Sequence, residues 1–92
     1  MDGDGVIIGV DPHKSSNTIA VLERDETIRS QRRFVNSVEG FDEMLAGVAE
    51  HPDRTWAVEG ANGMGRNVAQ RLVAAGESVI DVPAKLSTRV RV

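Results

Sequence analysis

Cysteine is absent from the 92 residues, which excludes disulfides and thiolate zinc sites and leaves carboxylates and two histidines as the metal-binding inventory. Hard cations such as magnesium suit that set. Long apolar runs are absent too, since nothing approaches the roughly 18 to 20 residues that span a bilayer. The opening stretch, MDGDGVIIGV, carries acids where a signal peptide carries basic residues, so a cytoplasmic protein with no membrane partner is expected. Bulk positive charge is also missing. Eleven basic residues against fourteen acidic ones leave a net charge of -3, a poor fit to a protein that grips nucleic acid by overall electrostatics. Any phosphate contact must be local, as between Lys85 and Val92, where Lys85, Arg89 and Arg91 stand with no acid among them.

Hydrophobic residues at 40% and charged residues at 27% are ordinary globular usage, so the chain is expected to fold. Its length fits one small domain with a thin core, and a complete multi-step enzyme is not expected.

Val6 to Val10 is a continuous, β-branched apolar run, which suits a central strand covered on both faces, with Asp11-Pro12 expected to stop it. Thr18 to Leu22 and Thr27 to Val35 read as two further strands, joined as antiparallel hairpins because the links are too short for crossover helices. Asn36 with Glu39 resembles a capping box, and Val38, Phe41, Leu45 and Val48 then recur at helical spacing as far as Pro52. Thr55 to Val58 reads as a short strand ending at Glu59, followed by a glycine-rich turn. A second helix is expected with Met64, Val68, Leu72 and Ala75 on its core side and Gly76 as its stop. Ser78 to Val82 is a fifth strand closed by Pro83, and the residues after it are suited to begin another helix. The order strand, strand, strand, helix, strand, helix, strand describes an α/β mixed sheet of the ribonuclease H-like kind.

In open α/β sheets, functional groups gather outside the carboxyl ends of parallel strands. Asp11 follows the first strand and Glu59 the fourth. If those strands are neighbours, about 4.8 Å apart, both carboxylates reach one crevice and can share a divalent cation. Acids commonly follow strands as turn formers, so on spacing alone Asp11 suits a cap on the turn with Pro12 better than a metal ligand. His13 reads as a solvated turn residue, and Lys14 as a point charge for a phosphate or an ordinary exposed lysine. Gly60, Gly63 and Gly65 suit a tight turn better than a phosphate cradle, and Trp56 suits the core.

Three blocks add more than spacing: Ile8 to Lys14, Trp56 to Gly63, and Asp81 to Ser87. Together they resemble the DEDD-type insertion-sequence transposases of the one-ten group, over essentially the whole chain. The resemblance implies that residues 1–92 are the amino-terminal part of a RuvC-like, ribonuclease H-like catalytic domain. It implies Asp11 and Glu59 as the first two acids of a magnesium-binding tetrad, with manganese as a substitute, in an enzyme that cleaves and rejoins DNA. The other two aspartates and a carboxyl-terminal domain with a nucleophilic serine are expected outside this chain, so alone it is expected to be inactive. DNA, a structured element-encoded guide RNA and further copies of the full-length protein are the implied partners. Lys14, Lys85, Arg89 and Arg91 are the candidate nucleic-acid contacts.

Two other readings compete. An actin-like ATPase or sugar-kinase fragment shares the early hairpins, but its first turn needs glycines that Pro12 to Asn17 lacks. A non-catalytic dimerising module would instead cover the unfinished sheet with a partner chain.

Overall fold

The computed structural model describes residues 5–23 and 27–82. The elements follow the expected order: β1 (Val6–Pro12), β2 (Ser16–Leu22), β3 (Ile28–Val35), α1 (Val38–Gly47), β4 (Arg54–Glu59), α2 (Arg66–Ala74) and β5 (Val79–Val82). They build one five-stranded sheet in the order β3-β2-β1-β4-β5. β1 pairs antiparallel with β2, and β2 with β3, as the short links require, while β4 lies parallel to β1 and β5 parallel to β4. This is an α/β fold consistent with the ribonuclease H-like class. The helix expected after Pro83 falls outside the described residues.

β1 runs two residues further than its apolar pattern suggested. Asp11 pairs with Thr18 and Pro12 with Asn17, so the strand does not stop at Val10. Proline is tolerated there because the β1–β4 ladder has already ended at Val10 and Val58, leaving that side free of the ladder. Asp11 is thus a strand residue, not a turn cap.

Alternation decides what each strand buries. Val6, Ile8 and Val10 of β1, Ile19 and Val21 of β2, Phe34 of β3, and Trp56 and Val58 of β4 all point to one face and join a single core with the two helices. Thr18 and Ala20 of β2, Gly9 and Asp11 of β1, and Ala57 and Glu59 of β4 therefore point to the other face. The described residues measure 34 × 33 × 20 Å, and the short axis suits one sheet with one layer of helices.

Both helices differ from the sequence reading at their ends. Ser37, not Asn36, caps α1: its hydroxyl accepts from the Gly40 amide at 3.0 Å. The Asn36 amide donates to the Ser15 carbonyl at 2.9 Å, which keeps Asn36 with the end of β3, and the helix begins one residue later than expected. α1 buries Gly40 and Met44, and Val48 after them, with Phe41 and Leu45 half-buried at the side. Val38 is 58% exposed, because it lies about a quarter-turn from the middle of that stripe. Gly40 is where α1 touches the end of β3, and any Cβ there would overlap the Val35 carbonyl oxygen.

Met64 is 66% exposed and is not part of the core. The turn after β4 continues to Gly65, so α2 starts only at Arg66, and its buried residues are Val68, Ala69 and Leu72. Ala75 is likewise an exposed cap residue rather than a core one. The stop at Gly76 is as expected: φ is 86°, and the Gly76 and Glu77 amides donate to the Val73 and Leu72 carbonyls.

Candidate metal and nucleic-acid site

The first and fourth strands run side by side. Val10 is in register with Val58, and Asp11 and Glu59 are the next residue on each strand. By alternation both carboxylates rise from the sheet face opposite the helices, and both line one cleft of about 260 Å³ together with Gly9, Thr18, Gln31 and Ala57. The floor is low because three neighbouring strands present Ala20, Gly9 and Ala57 in register, each with one carbon of side chain or none. The sequence reading missed this trough. Its signal is the small residues interleaved with Ile8, Ile19 and Trp56, which becomes legible only once strand pairing is known.

Asp11 keeps 46% of its side chain exposed, with the His13 imidazole 3.4 Å from its Oδ2 atom. His13 is held by the β1–β2 hairpin, where its amide donates to the Ser16 carbonyl at 2.8 Å. Lys14 sits at the exposed tip of that hairpin, does not line the cleft, and forms no ion pair among the described residues. Lys85, Arg89 and Arg91 lie outside the described residues. Two carboxylates in one cleft are the donor type that a hard divalent cation takes. Among the described residues no group of three or more potential ligands is gathered, so the cleft offers two carboxylates of that donor type.

The glycine-rich turn fixes Glu59 from behind. The Gly63 and Gly65 amides both donate to the Gly60 carbonyl, at 2.8 and 2.9 Å. A Cβ on Gly65 would stand 2.7 Å from the Glu59 carbonyl oxygen, so the chain packs there only without a side chain. Asp81 of β5 accepts from the Ala61 amide at 3.0 Å and pins the same turn to the neighbouring strand. Tight turning is therefore the structural use of these glycines.

A second polar cluster went unnoticed in the sequence. Trp56 is fully buried, as expected, and its indole N–H donates to Glu77 Oε1 at 2.7 Å. Arg54 donates to both Glu77 oxygens at 2.9 Å and to the His51 carbonyl at 2.9 Å. The Arg54 hydrogen bonds hold the Glu77 carboxyl below its ordinary range, against an opposing push from burial. The cluster sits at the amino ends of β4 and β5, away from the cleft, and its role is structural.

The fold and the paired acids define the class first: a ribonuclease H-like α/β domain with carboxylates at the carboxyl ends of adjacent parallel strands. The family model of the DEDD transposases of the IS110 type, described as a transposase, matches residues 8–92, and the chain belongs to that family. No curated protein matches the chain significantly. Membership implies a DNA transposase and DNA as its partner, and it displaces the sugar-kinase reading. No helix among the described residues is long and apolar enough to cross a membrane.

Proposed function

We propose that residues 1–92 are the amino-terminal part of the RuvC-like catalytic domain of a transposase that cleaves and rejoins DNA strands with divalent metal. The observation that supports this reading is the parallel pairing of β1 with β4, which brings Asp11 and Glu59 into one cleft. These two side chains would hold the cation, magnesium or manganese in its place. When bound, the metal supplies charge neutralisation at the phosphodiester and an activated oxygen nucleophile.

The chain's own residues supply position. The Gly60 to Gly65 turn fixes the end of β4 and the hairpin fixes the end of β1, so both carboxylates stand on rigid strands. His13, beside Asp11, orients that carboxylate, and Lys14 lies at the same end of the sheet, where it serves a phosphate as a point charge. Lys85, Arg89 and Arg91 are proposed as further backbone contacts. A structured guide RNA and other copies of the full-length protein are proposed partners, on the family resemblance alone.

Titration with manganese, followed by paramagnetic line broadening, tests the metal reading. Weak binding is expected in the native chain, with Asp11→Asn and Glu59→Gln each weakening it roughly tenfold or more, because each removes a charged oxygen ligand. Manganese binding by both variants as tight as that of the native chain would overturn the assignment. DNA cleavage by the purified chain would overturn the expectation that two acids are too few.

A further inference from the structure

We infer that Asp81 is a positioning residue for the metal site, holding Glu59 in place from the far side of the sheet without being a ligand itself. The inference rests on the reading of Glu59 as a metal ligand and deepens it.

Three acids end neighbouring parallel strands: Asp11 on β1, Glu59 on β4 and Asp81 on β5. An acid so placed is the natural candidate for a third ligand, and the register excludes it. Val82 stands opposite Glu59 and lines the cleft, whereas Asp81 stands opposite Val58, which belongs to the core. Residues opposite one another on paired strands share a face, so Asp81 rises on the helix side. There it lines a separate groove beside α2, with Arg66, Ala69 and Val79.

On that side Asp81 grips the chain just past Glu59. The Gly60 amide donates to the Val82 carbonyl at 2.8 Å, and the Ala61 amide donates to Asp81 Oδ1 at 3.0 Å. Gly60 has a φ of 64°, so the backbone leaves the strand direction there and the β4–β5 ladder has no further carbonyl to offer. The Asp81 carboxylate supplies the next acceptor in its place. The other flank of Glu59 has no such support, because the β1–β4 ladder ends at Val10 and Val58. Among the described residues, β5 is therefore the strand that fixes the Glu59 backbone, and Asp81 closes the last link. A metal ligand works only when its backbone and rotamer are held, so the effect of Asp81 passes through Glu59.

The test compares Asp81→Ala with Asp81→Asn, which discards the charge and keeps the oxygen acceptor. Manganese affinity, read by paramagnetic line broadening, is expected to fall roughly 3- to 10-fold in Asp81→Ala and to stay within about twofold of the native value in Asp81→Asn. In metal-free protein the Ala61 amide should exchange with solvent roughly 3- to 10-fold faster in Asp81→Ala, for want of its acceptor. Ser37→Ala, which loosens α1 instead, should leave manganese affinity unchanged. The double variant Asp81→Ala with Glu59→Gln should bind no more weakly than Glu59→Gln alone, since a residue that acts through Glu59 has nothing left to position. Native affinity in Asp81→Ala, an equal loss in Asp81→Asn, unchanged Ala61 exchange, or a further loss in the double variant would overturn the positioning role and leave the metal reading standing. Absence of manganese binding in the native chain would overturn the metal reading, and this inference with it.

Discussion

Replacing Glu77 tests the packing that aligns β4 and β5. Glu77→Ala strands two groups at once: the indole N–H of a tryptophan with no exposed surface, and a guanidinium whose side chain is only 19% exposed. An orphaned buried donor costs about 1 to 3 kcal/mol, and loss of hydrogen bonds to a charged partner adds a similar amount. Arg54 keeps its bond to the His51 carbonyl and some access to water, so a total of about 3 kcal/mol is expected. For a domain of this size that lowers Tm by roughly 12 to 24 °C. Glu77→Gln keeps one acceptor and should cost about half as much.

Trp56 is the sole tryptophan, so its fluorescence reports unfolding of the core directly in urea or on heating. The pH dependence has a definite sign. Because the folded-state carboxyl is held low, chiefly by Arg54, its stabilisation is complete above the ordinary glutamate value of about 4.3. It is lost as pH falls from there through the lowered folded value. The gap between native chain and Glu77→Gln should therefore close on acidification and stay constant between neutral pH and pH about 6. A loss below about 1 kcal/mol in Glu77→Ala, or a gap that widens in acid, would refute the reasoning.

Two further perturbations separate the observed helix start from the one the sequence suggested. Ser37→Ala should cost about 1 kcal/mol in urea denaturation, whereas Asn36→Ala should fall within about 0.5 kcal/mol of the native chain, and the reverse ranking would return the cap to Asn36. Gly40→Ala, which elsewhere in a helix would be mildly stabilising, should instead cost about 3 kcal/mol or more, because its methyl group meets the Val35 backbone. A neutral result would mean that α1 does not seat on the end of β3 as described.

Much of the fold was legible because its signals are local. The β-branched run at Val6 to Val10, the short polar links around it, and the glycine that ends α2 each act within a few residues, so their elements follow from the chain itself. The errors fell at the ends of elements: β1 runs on through Pro12, Ala75 caps α2 instead of joining the core, and both helix starts shift. Asn36 and Ser37 are both good caps, but the Asn36 amide is tied to Ser15 in the β1–β2 hairpin turn, and it is the Ser37 hydroxyl that receives the Gly40 amide. Met64 fits a helical pattern with Val68 and Leu72, but the Gly60 to Gly65 turn must close on the Glu59 backbone first. Met44 outranks Val38 because β3 lies under one particular stripe of α1.

The sequence by itself determined the order of elements and marked Asp11 and Glu59 as acids at strand ends, since strand ends and residue chemistry are written residue by residue. Tertiary structure decided which residues share a face. Asp11 and Glu59 are 48 positions apart, and Asp81 is 22 from Glu59. What joins the first two on one face and sets Asp81 on the other is the hydrogen-bonded register of β1, β4 and β5, a long-range pairing that no local pattern encodes.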